Sequence, residues 1–148
     1  MRTIVTTGTA TLVLFDPACM RHRLDDDADW WSLPQEELLE VNRGNAAFMN
    51  VGGDGRYELE VVAEAGLPDA DVELVLRNTS GRFFLGAGEF MTSDGLEPEA
   101  GYGNVFFDAE PGSYLVRARQ RGSTVVISLA ATDLPASNAL GGLVRLGT

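Results

Sequence analysis

The sequence predicts an all-β fold: a single-domain antiparallel β-sandwich of about seven or eight strands, with one short helix inserted near residues 33–43. Three observations point there. Apolar residues recur at every second position in short runs, turn-forming residues cluster between those runs at regular spacing, and a single stretch carries helix-start chemistry. The chain has 148 residues, the size of one domain, and shows no internal repeat. The sandwich is assigned to residues 1–133. Residues 134–148, small and containing Gly141-Gly142, are expected to form a partly disordered tail.

In chain order, Ile4-Val5 and Thr11-Leu12-Val13-Leu14-Phe15 are β-branched or apolar and broken by Gly8, which predicts a strand or strand pair ending at Asp16-Pro17. A loop from Ala18 to Leu24 follows. Ser32 reads as a helix N-cap, with Gln35 three residues on and Pro34 in the first turn. The helix is expected to bury Leu38, Leu39 and Val41, to expose Glu36, Glu37 and Glu40, and to stop at Asn42-Arg43-Gly44. Ala47, Met49 and Val51, then Gly52-Gly53-Asp54-Gly55, then Tyr57, Leu59 and Val61 predict a hairpin. Val72, Leu74 and Leu76 alternate with Glu73, Val75 and Arg77 in a further strand, and Asn78-Thr79-Ser80-Gly81 turns the chain into Phe83-Phe84-Leu85. Residues Gly86 to Gly103 read as a long glycine-rich, acidic loop. Val105-Phe106-Phe107 leads to the turn at Glu110-Pro111-Gly112-Ser113. A strand from Tyr114 to Arg121 and a second from Thr124 to Ala131 then form a hairpin about Gly122-Ser123, with Val125-Val126-Ile127 expected to be buried on both faces.

Composition narrows the function classes. The formal net charge of −11 repels phosphate backbones and attracts basic partners, so nucleic acid is excluded as the expected ligand. All eleven basic residues are arginine. A single cysteine, Cys19, permits no intrachain disulfide. Threonines interrupt the apolar runs of the first residues and no apolar stretch reaches membrane-spanning length, so a cytoplasmic protein without a membrane partner is expected.

One stretch stands apart. Leu24 to Glu40 holds Asp25, Asp26, Asp27, Asp29, Glu36, Glu37 and Glu40, no basic residue, and both tryptophans, Trp30 and Trp31. Adjacent residues on an extended chain point to opposite sides, so one indole is expected to anchor the segment while the other stays at the surface. An exposed indole ringed by carboxylates is suited to binding a basic protein, the aromatic supplying affinity and the charge supplying association rate. The competing expectation is that both indoles cover an open end of the core. These nine residues form the expected partner-binding site.

Other constellations are weaker. Asp25, Asp27, Asp29 and Glu36 occupy the first, third, fifth and twelfth places of a calcium loop. Trp30 stands where that loop needs glycine, however, and Pro34 fills its tenth place, so no metal site is assigned. A calcium- or carbohydrate-binding sandwich module is the alternative function. Cys19 and His22 are spaced to form a thiol–base couple, but ordinary packing explains each equally well. Neither zinc spacing nor a phosphate loop is present, so no cofactor is expected. Arg117, Arg119 and Arg121 form a period-two stripe expected to pair with Glu58 and Glu60.

The order of these features resembles the competence protein J group, inhibitors of a DNA-entry nuclease. The likeness lies in the early strand ending Val13-Leu14-Phe15, the tryptophan-bearing acidic segment before a short helix, the lead-in Gly44-Asn45-Ala46, and the late strand announced by Pro111-Gly112-Ser113-Tyr114. The resemblance implies a β-sandwich inhibitor or immunity-type protein, not an enzyme, that masks a basic toxin or nuclease. No inhibitory residue is carried over by it.

Overall fold

A computed structural model describes residues 1–63, 66–91 and 96–147. Part of the expected loop (92–95) and the last residue of the expected tail lie outside the described residues. Among the described residues, nine strands form two sheets: β1 (Arg2–Thr7), β2 (Thr11–Phe15), β3 (Ala46–Asn50), β4 (Gly55–Val62), β5 (Val72–Asn78), β6 (Arg82–Ala87), β7 (Val105–Asp108), β8 (Gly112–Arg121) and β9 (Thr124–Thr132). One sheet is ordered β1-β4-β9-β8-β5 and the other β3-β2-β6-β7. The sandwich reading therefore stands, with one departure: β4 and β9 run parallel, Leu59 opposite Val125, while the other neighbours run antiparallel.

The expected hairpin across residues 52–55 does not form, because β3 and β4 belong to different sheets. The chain also changes sheets between β1 and β2, between β5 and β6, and between β7 and β8. Alternation tells which side chains face inward; it does not tell which strand lies alongside. Only the β8–β9 hairpin, with Arg121 opposite Thr124, pairs as its sequence suggests.

Between the sheets, Phe83 of β6 packs against Phe107 of β7 and edge-on against Tyr114 of β8. β2 and β3 are buried along nearly their whole length, which one sandwich interface cannot do. Their second face is covered by the acidic segment, whose tryptophans pack on Phe48 of β3. The four-stranded sheet is thus the middle of a local third layer. β9 was expected to be buried on both faces, yet Val126 is only half-buried and it is Val125, Ile127 and Leu129 that enter the core. The difference arises because its other side belongs to the outer face of the five-stranded sheet.

The arginine stripe on β8 does not reach Glu58 and Glu60, since β9 separates β8 from β4. Arg117 instead donates to Glu73 (2.6 Å), Arg121 pairs with Asp71 (3.2 Å), and Arg119 donates to the Pro68 carbonyl (3.0 Å).

The described part of the tail is tied to the sandwich at several points. Asn138 accepts from Val75 N and donates to the carbonyls of Val75 and Val41, and so caps the edge of β5. Val144 and Leu146 are buried, and their backbones bond to Asn50. Ala136 lies close against Gly44, where a side chain would collide with the Ala136 carbonyl.

Candidate functional site

Between β2 and β3 the chain makes 3-10 turns at Pro17–Cys19, Arg21–Arg23 and Trp30–Ser32, then helix α1, Pro34–Asn42. Ser32 is not the cap. Leu33 occupies that position without a side-chain bond, and the Ser32 hydroxyl donates back to the Asp29 carbonyl, closing the turn (2.7 Å). Pro34 takes the first helical place, where its missing N–H costs little.

The helix departs from its amphipathic reading at Glu37, Glu40 and Leu39, while Val41 is buried as expected. Glu40 is fully buried and Glu37 is 3% exposed, whereas Leu39 faces solvent. Two burial partners explain this. Glu40 Oε2 accepts from Arg23 Nε at 2.8 Å and faces His22 Nε2 at 3.0 Å, and its Oε1 accepts from Asn45 (2.9 Å). Burial pushes this carboxyl up, but Asn45, Arg23 and His22 together hold it below the usual carboxylate range. Glu37 has only Asn50 (3.0 Å) and the field of Arg145, so burial prevails and its pKa is raised.

Arg23 organises the whole segment and was not among the expected site residues. It is buried and bonds through Nη1 to Asp26 (3.1 Å) and Glu36 (3.2 Å), while its guanidinium carbon lies 4.3 Å from the centre of the Trp30 ring. Burial works against its charge, yet Glu40, Asp26 and Glu36 raise its pKa above the ordinary arginine value. The available signal was its spacing of three from Asp26 and its place as the last cation before the acidic run.

Both tryptophans are interior, 5% and 6% exposed, which corrects the expectation that one stays at the surface. A 3-10 turn, not an extended strand, carries them, so the two rings converge on Phe48: Trp30 edge-on and Trp31 stacked, each with centroids 6.0 Å away. Among the described residues, Trp30 Nε1 meets no hydrogen-bond acceptor.

The nine expected residues therefore separate. Trp30, Trp31, Glu37 and Glu40 form the inner side of the segment. Asp25, Asp26, Asp27 and Asp29 stay exposed and Glu36 half-exposed, around a shallow cleft floored by Arg23 and Trp30. Among the described residues no group of three or more histidine, cysteine or acidic side chains is arranged to hold a metal, so the calcium reading gains no geometry. Cys19 and His22 are not brought together as a couple: Cys19 Sγ lies 3.8 Å from the Thr79 hydroxyl, with burial raising the thiol pKa, and His22 turns to Glu40.

A second buried carboxylate escaped the sequence reading. Asp16 closes the β5–β6 turn, accepting from Thr79 N (2.7 Å), Ser80 N (2.8 Å) and the Ser80 hydroxyl (2.6 Å), and it also accepts from Ala18 N. Burial raises its pKa, but these donors hold it below the usual range. A half-buried carboxylate, Glu89, accepts from Thr7, Gly8 and Thr9 at the β1–β2 turn.

Comparison with known proteins bears on this architecture. No curated protein matches the sequence. Among solved structures, the one titled "Crocagin biosynthetic gene J" superposes with a TM-score of 0.53 at 16% identity, covering 88% of this chain and 94% of the other. ComJ from Bacillus subtilis, titled an inhibitor of the DNA-degrading activity of NucA, superposes at 0.52 with 10% identity, covering 89% and 96%. The resemblance to the competence protein J group thus holds at the level of the fold. The description "Family of unknown function (DUF6386)" matches residues 1–146, and the chain belongs to that family.

Proposed function

We propose that this protein is a non-enzymatic, cytosolic binding protein of inhibitor or immunity type, which masks a basic surface on a toxin or nuclease. The observation that carries the reading is the division within the acidic segment. Its indoles, Arg23, Glu37 and Glu40 fix the segment to the sheet, while Asp25, Asp26, Asp27 and Asp29 remain exposed on a chain of net charge −11. Clustered carboxylates on a rigid base steer a cationic partner into register. The fold shared with ComJ, itself titled a nuclease inhibitor, supports the same reading.

The test is capture of basic proteins from the native cytosol at low and high salt, using the wild type and a variant with Asp25, Asp26, Asp27 and Asp29 all changed to Asn. Asp25, Asp27 and Asp29 are exposed, but Asp26 also accepts from Arg23, so circular dichroism first establishes that the variant is folded. Association of the captured partner is expected to slow by about tenfold or more in the variant and to lose most of its salt dependence. Equal capture by both proteins, or a captured partner without basic character, refutes the reading.

A further inference from the structure

Tyr102 is 90% exposed, more than any other large apolar side chain among the described residues. It is also held there. Its backbone has φ +54, between Gly101 and Gly103, both of positive φ. Asn104, 2% exposed, donates to the Gly101 carbonyl and accepts from Ala87 N, each at 2.9 Å, and Thr3 donates to the Gly103 carbonyl (2.6 Å). A side chain at Gly103 would collide with the Ile4 carbonyl, so the turn sits directly on β1. A tyrosine in left-handed backbone is uncommon, and this rigid turn gives its ring no cover.

Among the described residues, the ring stacks on one aromatic neighbour. Phe90, itself exposed, stacks on Tyr102 with centroids 6.1 Å apart and planes at 26°. Leu96 is exposed beside them. Together with Glu89, Glu97 and Glu99 they line a cleft of about 380 Å³ with no basic residue among its described lining, Arg21 reaching Glu97 from outside it. The cleft lies close to the acidic segment and the turn before it: Arg21 reaches Glu97 (3.1 Å), and Gly88, next to Glu89, lies against the Trp31 ring.

We propose that the Phe90–Tyr102 pair seats an arginine of the partner, its guanidinium on the ring face and its N–H groups turned to Glu97 and Glu99. This rests on the docking function proposed above and supplies that function's apolar anchor. Stacked rings flanked by carboxylates attract a cation through the ring quadrupole, and a planar guanidinium fits a flat ring better than an ammonium does. The chain uses the same recognition internally: Arg23 over Trp30 with three carboxylates, and Arg82 4.0 Å from the centre of Phe106.

The test is amide chemical-shift mapping on the full chain, with a short amidated peptide alternating glycine and arginine as probe, its lysine counterpart, and a cello-oligosaccharide. The variant Phe90→Ala/Tyr102→Gly removes both rings, and glycine accepts the left-handed backbone without strain. The arginine peptide is expected to shift the amides of Phe90 and residues 101–104. Its affinity should fall about tenfold in the ring-deleted variant and about severalfold for the lysine peptide. Shifts confined to residues 25–29 overturn the anchor and leave the docking function standing; no shift at either place overturns both. Shifts at Tyr102 with the oligosaccharide but not with the peptide make the rings a sugar platform and overturn the proposal.

Discussion

Replacing Arg23 by alanine tests whether one interior cation holds the acidic segment in place. The substitution leaves Glu40 buried with only His22 and Asn45 at hydrogen-bond distance, and Asp26 and Glu36 without their shared donor. Removing one partner of a buried pair costs about 3–5 kcal/mol, and losing the contact with the Trp30 face adds about 0.5–1 kcal/mol. With the remaining donors offsetting part of this, a loss of about 3–4 kcal/mol is expected at neutral pH. For a domain of this size that is a fall in Tm of roughly 10 °C. The pH dependence gives the sharper result. In the wild type the folded pKa of Glu40 lies below the ordinary 4.5, so its contribution is complete above that value and is lost as pH falls through the lower one. Without Arg23, burial acts with less opposition and the folded pKa moves above the unfolded one; the penalty then accrues as pH rises and is absent when the carboxyl is protonated. The stability difference between the two proteins should therefore be largest near neutral pH and shrink as pH falls through the carboxylate range towards the lowered wild-type pKa. Urea unfolding followed by far-UV circular dichroism measures it, with Trp30 and Trp31 as local fluorescent reporters. A difference under about 1 kcal/mol at neutral pH, or one unchanged in acid, refutes the role given to Arg23.

Glu37→Gln should raise stability at neutral pH by about 1–2 kcal/mol, because the folded pKa is raised and ionisation above the ordinary 4.5 opposes folding; thermal melts should show the advantage vanishing in acid. Trp31→Ala, which removes the ring stacked on Phe48, should cost about 3–5 kcal/mol, whereas Trp30→Phe, which deletes a buried N–H without an acceptor, should cost under about 1 kcal/mol; denaturant midpoints that rank the two in reverse refute the packing described. Asp16→Asn should cost about 2–4 kcal/mol near neutrality by setting an amide against the donors of Thr79 and Ser80, and the loss should shrink as pH falls through the depressed pKa of Asp16, again by melts.

Much of the scaffold was legible in the residues. Period-two runs located most of the strands, and the helix falls at Pro34–Asn42, where its start chemistry put it. Pairing was not legible, because alternation at Tyr57, Leu59 and Val61 marks a buried face without naming the neighbour, and that neighbour proved to be β9, far along the chain. The candidate site was half legible. Acidity and indoles correctly marked the segment as distinctive. The inward turn of Glu37 and Glu40, however, depends on Asn50, Asn45 and Arg23, partners supplied by other elements that no helical period reports. Tyr102 went unread for a related reason: a glycine-flanked tyrosine looks like loop punctuation until its neighbours show that the loop is braced.

The parallel register of β4 with β9 bears on how the protein comes into being. As the chain leaves the ribosome, β1 and β4 can zip together early, and β5 can later meet β8, but these two pairs share no edge. Only β9, which follows the other eight described strands in the chain, slots between them and makes one sheet of two. The five-stranded sheet therefore cannot close before β9 is available, and a chain stopped before Thr124 would display the borders of β4 and β8 to any chaperone or aggregate nearby.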